Sequence, residues 1–433
     1  MNKANVTTNQ IPFSLKPGYD DYARCVHCGL CLNHCPTYRL WGREADSPRG
    51  RIRQMMLVDA GKLAVGETFV THMDRCLDCR ACETVCPSGV EYGKLIEHAR
   101  GQIEQEYRRP FFSRAARNFF YRKVLPFPRR IAALGRATRV YQRSGLQWLV
   151  RGSGVLRLFG LAERERLMPT IDREFFFSRL GKTFPATGTR RARVAFFAGC
   201  VAQISFTKLN DATIRVLQAN GCDVVVPAAQ LCCGALCVHA GVRDVAADLA
   251  RANIKAFLAE PFDAIVTNAA GCGSTLKEYE QLFPAGTAEH SQANQFRAKV
   301  RDVTEFLAEL GVVARLKTMP LRVTYQDSCH LLHGQKISSA PRTLIRAIPG
   351  VELVEMAQGD QCCGSAGVYN VTETRAALEI LASKMENIRA TRAQAIVTAN
   401  PGCILQLRAG VEIHRMGQEV MHVVELLDRA LAQ

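Results

Sequence analysis

The most informative absences in this chain of 433 residues are those of membrane-spanning, secretion and nucleotide-binding signals. No stretch approaches the ~18 consecutive apolar residues that span a bilayer, so we expect a soluble or peripheral protein. Nothing at the N-terminus is typical of a secretory signal, which argues against a disulfide framework for the 18 cysteines. Gly50 and Gly89 form no dinucleotide-binding motif, and no flavin or nicotinamide fingerprint occurs. We therefore predict a cytoplasmic protein that uses its cysteines for metal.

Acidic residues are absent between Glu106 and Glu163, a stretch otherwise crowded with positive charge. From Tyr107 to Arg157 the chain has thirteen Arg or Lys residues, interleaved with Phe, Tyr and Trp. A basic, aromatic-rich, helix-prone segment is typical of a membrane-surface anchor, where each cation contributes about 1 kcal/mol on anionic lipid. A solvated helical face and a docking surface for an acidic partner are the alternatives. No nucleic-acid fold signature accompanies the charge, so we expect no nucleic-acid partner.

Eight cysteines form two runs of one pattern, Cys-x-x-Cys-x-x-Cys-x-x-x-Cys-Pro, beginning at Cys25 and at Cys76. This is the spacing of bacterial-type 4Fe–4S ferredoxins, in which three cysteines hold one cluster and the fourth holds the other. Zinc sites use pairs of cysteines instead. We predict two 4Fe–4S clusters with crossed ligand sets: Cys25, Cys28, Cys31 and Cys86 for one, and Cys76, Cys79, Cys82 and Cys35 for the other.

The two runs are separated by some forty residues, which is too long for a compact β-type ferredoxin and is typical of helix. The pattern predicts a polar arm over residues 1–20 and an α-helical ferredoxin domain over 21–105. A basic helical connector is expected over 106–190.

The rest of the chain contains an internal repeat, with copies over residues 191–318 and 319–433. Each copy has an apolar strand and a cysteine, then a Cys-Cys-Gly turn, then a second apolar strand and Gly-Cys. The cysteines are Cys200, Cys232, Cys233 and Cys272 in the first copy, and Cys329, Cys362, Cys363 and Cys403 in the second. Alternating strands and helices predict a parallel sheet in each copy. The expected fold class is α+β multidomain: an α-helical ferredoxin domain followed by a duplicated α/β cysteine-rich (CCG) domain.

The four cysteines of each repeat predict a metal-binding site. Adjacent cysteines do not readily bridge to each other, and the following glycine would let the backbone approach a bulky inorganic group. We predict at least one further iron–sulfur cluster in the repeats. A purely structural scaffold and a single site shared by both repeats remain alternatives. Cys237 is either an extra thiolate or a small buried hydrophobe, and His330 and His333 could ligate metal or pack structurally.

Three segments and the two repeats carry a family resemblance: Arg24-Cys-Val-His-Cys-Gly-Leu-Cys31, Ser47-Pro-Arg-Gly-Arg-Ile52, and the run from Asp74 to Gly93. Together they resemble the iron–sulfur subunit of bacterial glycolate oxidase (glycolate dehydrogenase). The resemblance implies an electron-transfer subunit, not catalytic alone, that relays electrons from FAD-containing partner subunits toward quinone. It implies a peripheral location on the inner face of the cytoplasmic membrane. Glycolate is the expected substrate of the whole enzyme.

The repeats also resemble those of heterodisulfide reductase, but Thr275 and Gln406 stand where that family has a further cysteine. This departure argues against disulfide-reducing chemistry. The equivalent subunit of a lactate or anaerobic glycerol-3-phosphate dehydrogenase, or a heterodisulfide-reductase-like enzyme, is the alternative function.

Overall fold

A computed structural model describes residues 17–432 of the chain, so the greater part of the predicted arm, residues 1–16, lies outside the described residues. The regular secondary structure of the first domain is helical, as predicted. Ser47 begins the central helix of this domain, because its Oγ accepts a hydrogen bond from the Gly50 amide at 3.0 Å and Pro48 occupies the first turn. The helices are α1 Tyr19–Ala23, α2 Pro36–Trp41, α3 Pro48–Asp59, α4 Glu67–Asp74, α5 Ala81–Thr84 and α6 Tyr92–Glu106.

The basic connector is helical over most of its length and then joins the following sheet. Its helices are α7 Phe111–Asn118, α8 Pro128–Arg143, α9 Leu146–Gly152, α10 Val155–Leu158 and α11 Ala162–Arg166, with a π-helical turn at Phe119–Val124. Strand β1 (Thr183–Phe184) ends the connector and pairs antiparallel with the first repeat. Within residues 17–432, no helix is both long and apolar enough to cross a membrane.

Each repeat forms a sheet of parallel strands flanked by helices, which confirms the predicted fold class. The first repeat has β2 Ala192–Phe197, α12 Ala202–Ser205, α13 Thr207–Ala219, β3 Cys222–Val225, α14 Ala235–His239, α15 Arg243–Phe257, β4 Ala264–Thr267, α16 Ala270–Leu276, α17 Ala288–Lys299, β5 Val300–Asp302 and α18 Val303–Leu310. The second has β6 Leu321–Gln326, α19 Ser339–Arg346, β7 Val351–Val354, α20 Tyr369–Thr372, α21 Thr374–Ala390, β8 Ala395–Thr398, α22 Pro401–Ile413, β9 Glu419–His422 and α23 Val423–Ala430.

The strand orders are β1-β3-β2-β4-β5 and β7-β6-β8-β9, so the central pairs β2–β4 and β6–β8 correspond. One continuous core joins the two sheets and includes Phe196 and Leu217 from the first repeat and Val323 and Leu407 from the second. The carboxyl ends of parallel strands share one edge of a sheet, where ligands usually bind. Every cysteine predicted as a repeat ligand follows such a strand end or lies in the Cys-Cys-Gly turn beside it.

Candidate functional site: four groups of cysteines

The most enclosed group of cysteines lies inside the ferredoxin domain. Cys35, Cys76, Cys79 and Cys82 line one cavity, and all four are buried. We call this group the inner set. It contains the three predicted cysteines of the second run together with the last cysteine of the first. The structure therefore brings together the four residues that the crossed arrangement requires.

A buried arginine faces the inner set. Arg51 lines the same cavity and is fully buried; its Nε donates to the His72 carbonyl at 2.7 Å, and its Nη1 donates to Thr37 Oγ1 at 3.1 Å. Burial alone would lower the pKa of Arg51, but Tyr92, Cys76, Cys35 and Asp46 raise it. The guanidinium thus supplies a fixed positive charge beside four thiol groups, which suits an anionic group held by them.

The outer set, Cys25, Cys28, Cys31 and Cys86, lies at the surface of the same domain. Burial raises the pKa of Cys25, with further contributions from Cys86 and Cys28, so the structure places Cys86 beside the first run. Cys28 is exposed, whereas the other seventeen cysteines are buried or half-buried. Beside Cys28, Val26 and Leu30 are also exposed, at 67% and 57%. The outer set is therefore the group that another protein can approach.

The four cysteines of the first repeat converge. The Sγ atoms of Cys200 and Cys232 lie 3.3 Å apart, and those of Cys233 and Cys272 lie 3.1 Å apart. None of these cysteines is in a disulfide. Cys272 lies in the first turn of α16. Four convergent sulfur donors are the donor set that an iron–sulfur cluster requires.

The second repeat repeats this arrangement, because hydrogen bonds join neighbouring thiols in the order Cys329, Cys362, Cys363 and Cys403. Cys403 lies in the first turn of α22, and Asn400 Nδ2 donates to its Sγ at 3.5 Å. The amide of Gly364 donates to Cys362 Sγ at 3.4 Å. Cys329 directly precedes a π-helical turn at His330–Gly334, an irregularity that often marks functional sites. The donor set therefore fits a cluster here as well.

The glycine of each Cys-Cys-Gly turn meets a packing requirement in addition to the role that we predicted. Gly364 has a φ of +90°, and a Cβ placed on it would lie 2.6 Å from the carbonyl oxygen of Ala377 in α21. Gly234 likewise has a positive φ and faces Ala246 in α15. These glycines therefore allow the turn to pack against the following helix. Close approach of the backbone to an inorganic group stays a prediction for both turns.

The four groups form a continuous series. The inner set meets the second repeat in a shared apolar cluster that includes Cys79 and Cys362, with Cys329 packed against it. Asn400 connects the second repeat to the first, because its Oδ1 accepts a hydrogen bond from the Gly271 amide at 3.4 Å. Cys25, Cys31 and Cys86 of the outer set pack against the apolar cluster that holds Cys76 and Cys82 of the inner set. These contacts therefore link the groups in the order outer set, inner set, second repeat, first repeat.

The first repeat is in turn covered by the connector. Tyr121, Val124 and Ile131 of the connector belong to the same apolar cluster as Cys200 and Cys232. The basic segment thus packs against the last group of the series.

Other candidate residues have structural partners instead of a place in these groups. His333 Nε2 lies 3.0 Å from the Asp360 carbonyl and its Nδ1 lies 2.8 Å from Thr84 Oγ1, so both ring nitrogens are engaged. His330 Nε2 lies 3.0 Å from the Asp78 carbonyl. Cys237 is fully buried beneath the first repeat. Gln406 accepts a hydrogen bond from Asn370 at 3.1 Å, which explains its burial without metal.

Sequence reasoning missed a buried charge network that joins the domains. His239 of the first repeat forms ion pairs with Asp78 Oδ2 at 3.0 Å and with Glu97 Oε1 at 3.2 Å. Arg80 pairs with Glu97 at 3.2 Å and with Glu278. Asp78 and Arg80 lie between the cysteines of the second run, and this position is the one signal available in the sequence. Nothing in the sequence pairs them with residues some 160 to 200 positions away.

Comparison with protein families identifies the kind of cofactor. Residues 21–90 match the 4Fe-4S dicluster domain, residues 112–168 match the linker region of the glycolate oxidase iron-sulfur subunit, and residues 194–277 and 323–408 each match the cysteine-rich domain. Iron–sulfur clusters are therefore the cofactors of this chain.

Several curated proteins are similar over most of the chain. The probable glycolate oxidase iron-sulfur subunit of Bacillus subtilis is 42% identical over 93% of this chain and 92% of its own length. The glycolate oxidase iron-sulfur subunit of Escherichia coli is 33% identical over 94% and 93%. Lactate utilization protein A of Oceanobacillus iheyensis is 30% identical over 54% of this chain and 96% of its own length.

Proposed function

Because the chain belongs to the family of glycolate oxidase iron–sulfur subunits, we propose that it is the electron-transfer subunit of a membrane-associated glycolate dehydrogenase. FAD-containing partner subunits would oxidise glycolate to glyoxylate, and this chain would carry the electrons onward to quinone. Iron–sulfur clusters supply one-electron transfer, which suits the step after a flavin that has collected two electrons from a hydroxy acid.

The observation that carries the proposal is the continuous series of four cysteine groups, open to a partner at one end and covered by the connector at the other. At the open end, Cys28 and the exposed Val26 and Leu30 offer a surface on which a flavin-bearing partner could dock. The inner set is buried, and each repeat set is buried apart from the half-buried Cys272 and Cys329, so these residues keep most water away from the groups. The crossed cysteine sets are the ligands that we propose for the two 4Fe–4S clusters, and each repeat set would hold a further cluster.

The connector supports the membrane part of the proposal. Phe112, Trp148 and Leu158 are exposed at 85%, 79% and 81%, which is unusual for large apolar side chains in water. Arg108, Arg114, Arg129 and Arg136 are exposed on the same segment. Apolar and cationic side chains together suit the surface of an anionic membrane. A lipid surface beside the first repeat would bring the last cysteine group toward membrane quinone.

Part of the positive charge faces the protein. Arg109 pairs with Asp74 at 2.6 Å, and Arg117 pairs with Glu104 at 2.6 Å. Arg122 pairs with Asp244 of the first repeat. These arginines attach the connector to its neighbours, so only the remaining exposed cations are available to lipid.

The proposed function is tested by measuring glycolate oxidation with and without the flavin-containing subunits. The purified chain alone should not oxidise glycolate with an artificial acceptor, whereas co-expression with flavin-containing subunits should restore turnover. A Cys28→Ser variant in the same complex is expected to lose transfer to the acceptor while the partner still binds glycolate. Glycolate oxidation by the isolated chain would overturn the proposal.

The substrate preference of the same complex distinguishes a glycolate dehydrogenase from the second candidate function. Similarity to lactate utilization protein A favours a lactate dehydrogenase subunit as the alternative. We expect glycolate to exceed lactate in kcat/KM, and the reverse order would select the alternative.

A further inference from the structure

The two repeats differ at one buried position beside their cysteines. Gly234 packs on Ala246 of α15, and Gly364 packs on Ala377 of α21, so these helices occupy equivalent places. Seven residues further along each helix lie Asn253 and Lys384. An internal duplication thus places a neutral amide in one copy and an ammonium group in the other.

Asn253 is a neutral brace for the first repeat. It is fully buried, and its Oδ1 accepts from the Leu231 amide at 2.9 Å while its Nδ2 donates to the Cys232 carbonyl at 2.9 Å. Nδ2 also lies 3.1 Å from the hydroxyl of Tyr279. The side chain holds the Cys-Cys-Gly turn and brings no charge to it.

Lys384 braces the corresponding loop of the second repeat with a charged group. It is 2% exposed, and its Nζ donates to the Gln358 carbonyl at 2.6 Å and the Gly359 carbonyl at 3.4 Å. It lines a cleft together with Cys362. Burial lowers the pKa of Lys384 to about 8, while Cys363, Cys362, Asp360 and Asp327 oppose this shift.

No carboxylate within residues 17–432 forms an ion pair with this ammonium group. A buried charge without an ion-pair partner is costly, so such a charge usually has a compensating group nearby. The cation near the first repeat differs in this respect, because His239 is compensated by Asp78 and Glu97. The charged groups that act on Lys384 are Cys363, Cys362, Asp360 and Asp327. Glu379 also lines the cleft, but it pairs with Arg375.

We propose that Lys384 is the counter-charge of the anionic iron–sulfur cluster bound by Cys329, Cys362, Cys363 and Cys403, and that it raises the reduction potential of that cluster. The inference rests on the proposed function, which places a cluster in this repeat. A cluster gains negative charge on reduction, and a fixed neighbouring cation stabilises the more negative state. The cysteines of the two repeats correspond one to one, but only the second repeat has a buried lysine where the first has a neutral asparagine.

The experiment is a potentiometric titration of the isolated reconstituted chain, followed by electron paramagnetic resonance. A Cys362→Ser variant identifies the signal of the second repeat by its loss. Lys384→Gln removes the charge and keeps a hydrogen-bond donor, whereas Lys384→Arg keeps both. Lys299→Gln is the matched control, since Lys299 Nζ also donates to a backbone carbonyl, that of Phe262, at 2.7 Å.

We expect Lys384→Gln to lower the midpoint potential of the second-repeat signal alone, and Lys384→Arg and Lys299→Gln to leave it close to that of the native chain. An unchanged potential in Lys384→Gln, or equal shifts in the glutamine and arginine variants, would overturn the proposal. If Lys384→Gln does not fold, Asn387→Asp places a carboxylate on the same helix face and cleft and should lower the same potential; no shift would overturn the proposal. The titration needs no flavin partner, so its outcome is independent of whether the complex oxidises glycolate.

Discussion

Arg80 and Glu278 form an ion pair between the ferredoxin domain and the first repeat, with Arg80 Nη2 lying 3.0 Å from Glu278 Oε2. The Arg80 side chain is 5% exposed and that of Glu278 is 23% exposed. Because Arg80 follows Cys79 directly, the pair connects the loop of the inner set to the first repeat across 198 positions of sequence. A largely buried ion pair therefore joins the ferredoxin domain to the first repeat.

Replacing Glu278 with Gln should weaken this connection. A hydrogen bond to a charged group contributes about 2 kcal/mol, and we expect a loss of that order in the free energy of unfolding measured by urea denaturation at constant iron content. Glu260→Gln removes the exposed partner of Arg193 and should cost less than about 1 kcal/mol. Equal effects of the two substitutions would contradict a special contribution of the Arg80–Glu278 pair.

Cysteine variants should fall into two classes that follow the crossed sets. Cys35→Ser should lose the same spectroscopic signal as Cys79→Ser, and Cys86→Ser the same signal as Cys28→Ser, because each fourth ligand belongs to the other run. Each loss should remove about four iron atoms per chain. Electron paramagnetic resonance and iron analysis provide the measurement. If Cys35→Ser matched Cys28→Ser instead, the crossed arrangement would be wrong.

The network around His239 predicts a pH dependence of stability. Burial alone would lower the pKa of His239, but Asp78 and Glu97 raise it to about 9, above the usual value near 6.5. A group whose pKa is raised on folding contributes its full stability below the unfolded value, and this contribution is lost as the pH rises through the folded value. Between about pH 6.5 and pH 9, the free energy of unfolding of the native chain should therefore fall. A His239→Gln variant lacks this contribution at every pH, so its free energy of unfolding should not show this fall. Parallel stability curves for the two proteins would refute this effect.

The exposed cations of the connector should bind anionic lipid. The native chain should sediment with acidic liposomes at low salt and be released as ionic strength rises, because the screening length is about 8–10 Å near physiological salt. Charge reversal to Glu at Arg108, Arg114, Arg129 and Arg136 should abolish sedimentation without changing iron content.

A matched variant tests whether lipid binding depends on the position of the cations or only on the net charge of the chain. Charge reversal at the exposed Arg315, Lys317, Arg346 and Arg375 of the second half changes the total charge by the same amount and should leave sedimentation intact. If the two variants behaved alike, or if neutral liposomes bound the native chain equally well, a membrane site on the connector would be excluded.

Local chemistry determined much of this protein at the level of sequence. The cysteine spacing and the proline after each fourth cysteine indicated the ferredoxin domain, because a cluster constrains ligands that lie only a few residues apart. The duplicated Cys-Cys-Gly pattern indicated two parallel sheets, since the periodicity of strands and helices is a local property. Both expectations are confirmed in the fold.

The order of the groups and the charges around them were decided by tertiary structure alone. Nothing near Cys79 in sequence indicates that it packs beside Cys362, nor that Arg109 and Arg117 face carboxylates and not lipid. The equivalence of Asn253 and Lys384 likewise follows from tertiary structure, because α15 and α21 pack against the Cys-Cys-Gly turns of their own repeats in the same way. Local propensity cannot specify such pairings, because long-range contacts depend on how whole domains bury their apolar faces and compensate the charges that burial traps.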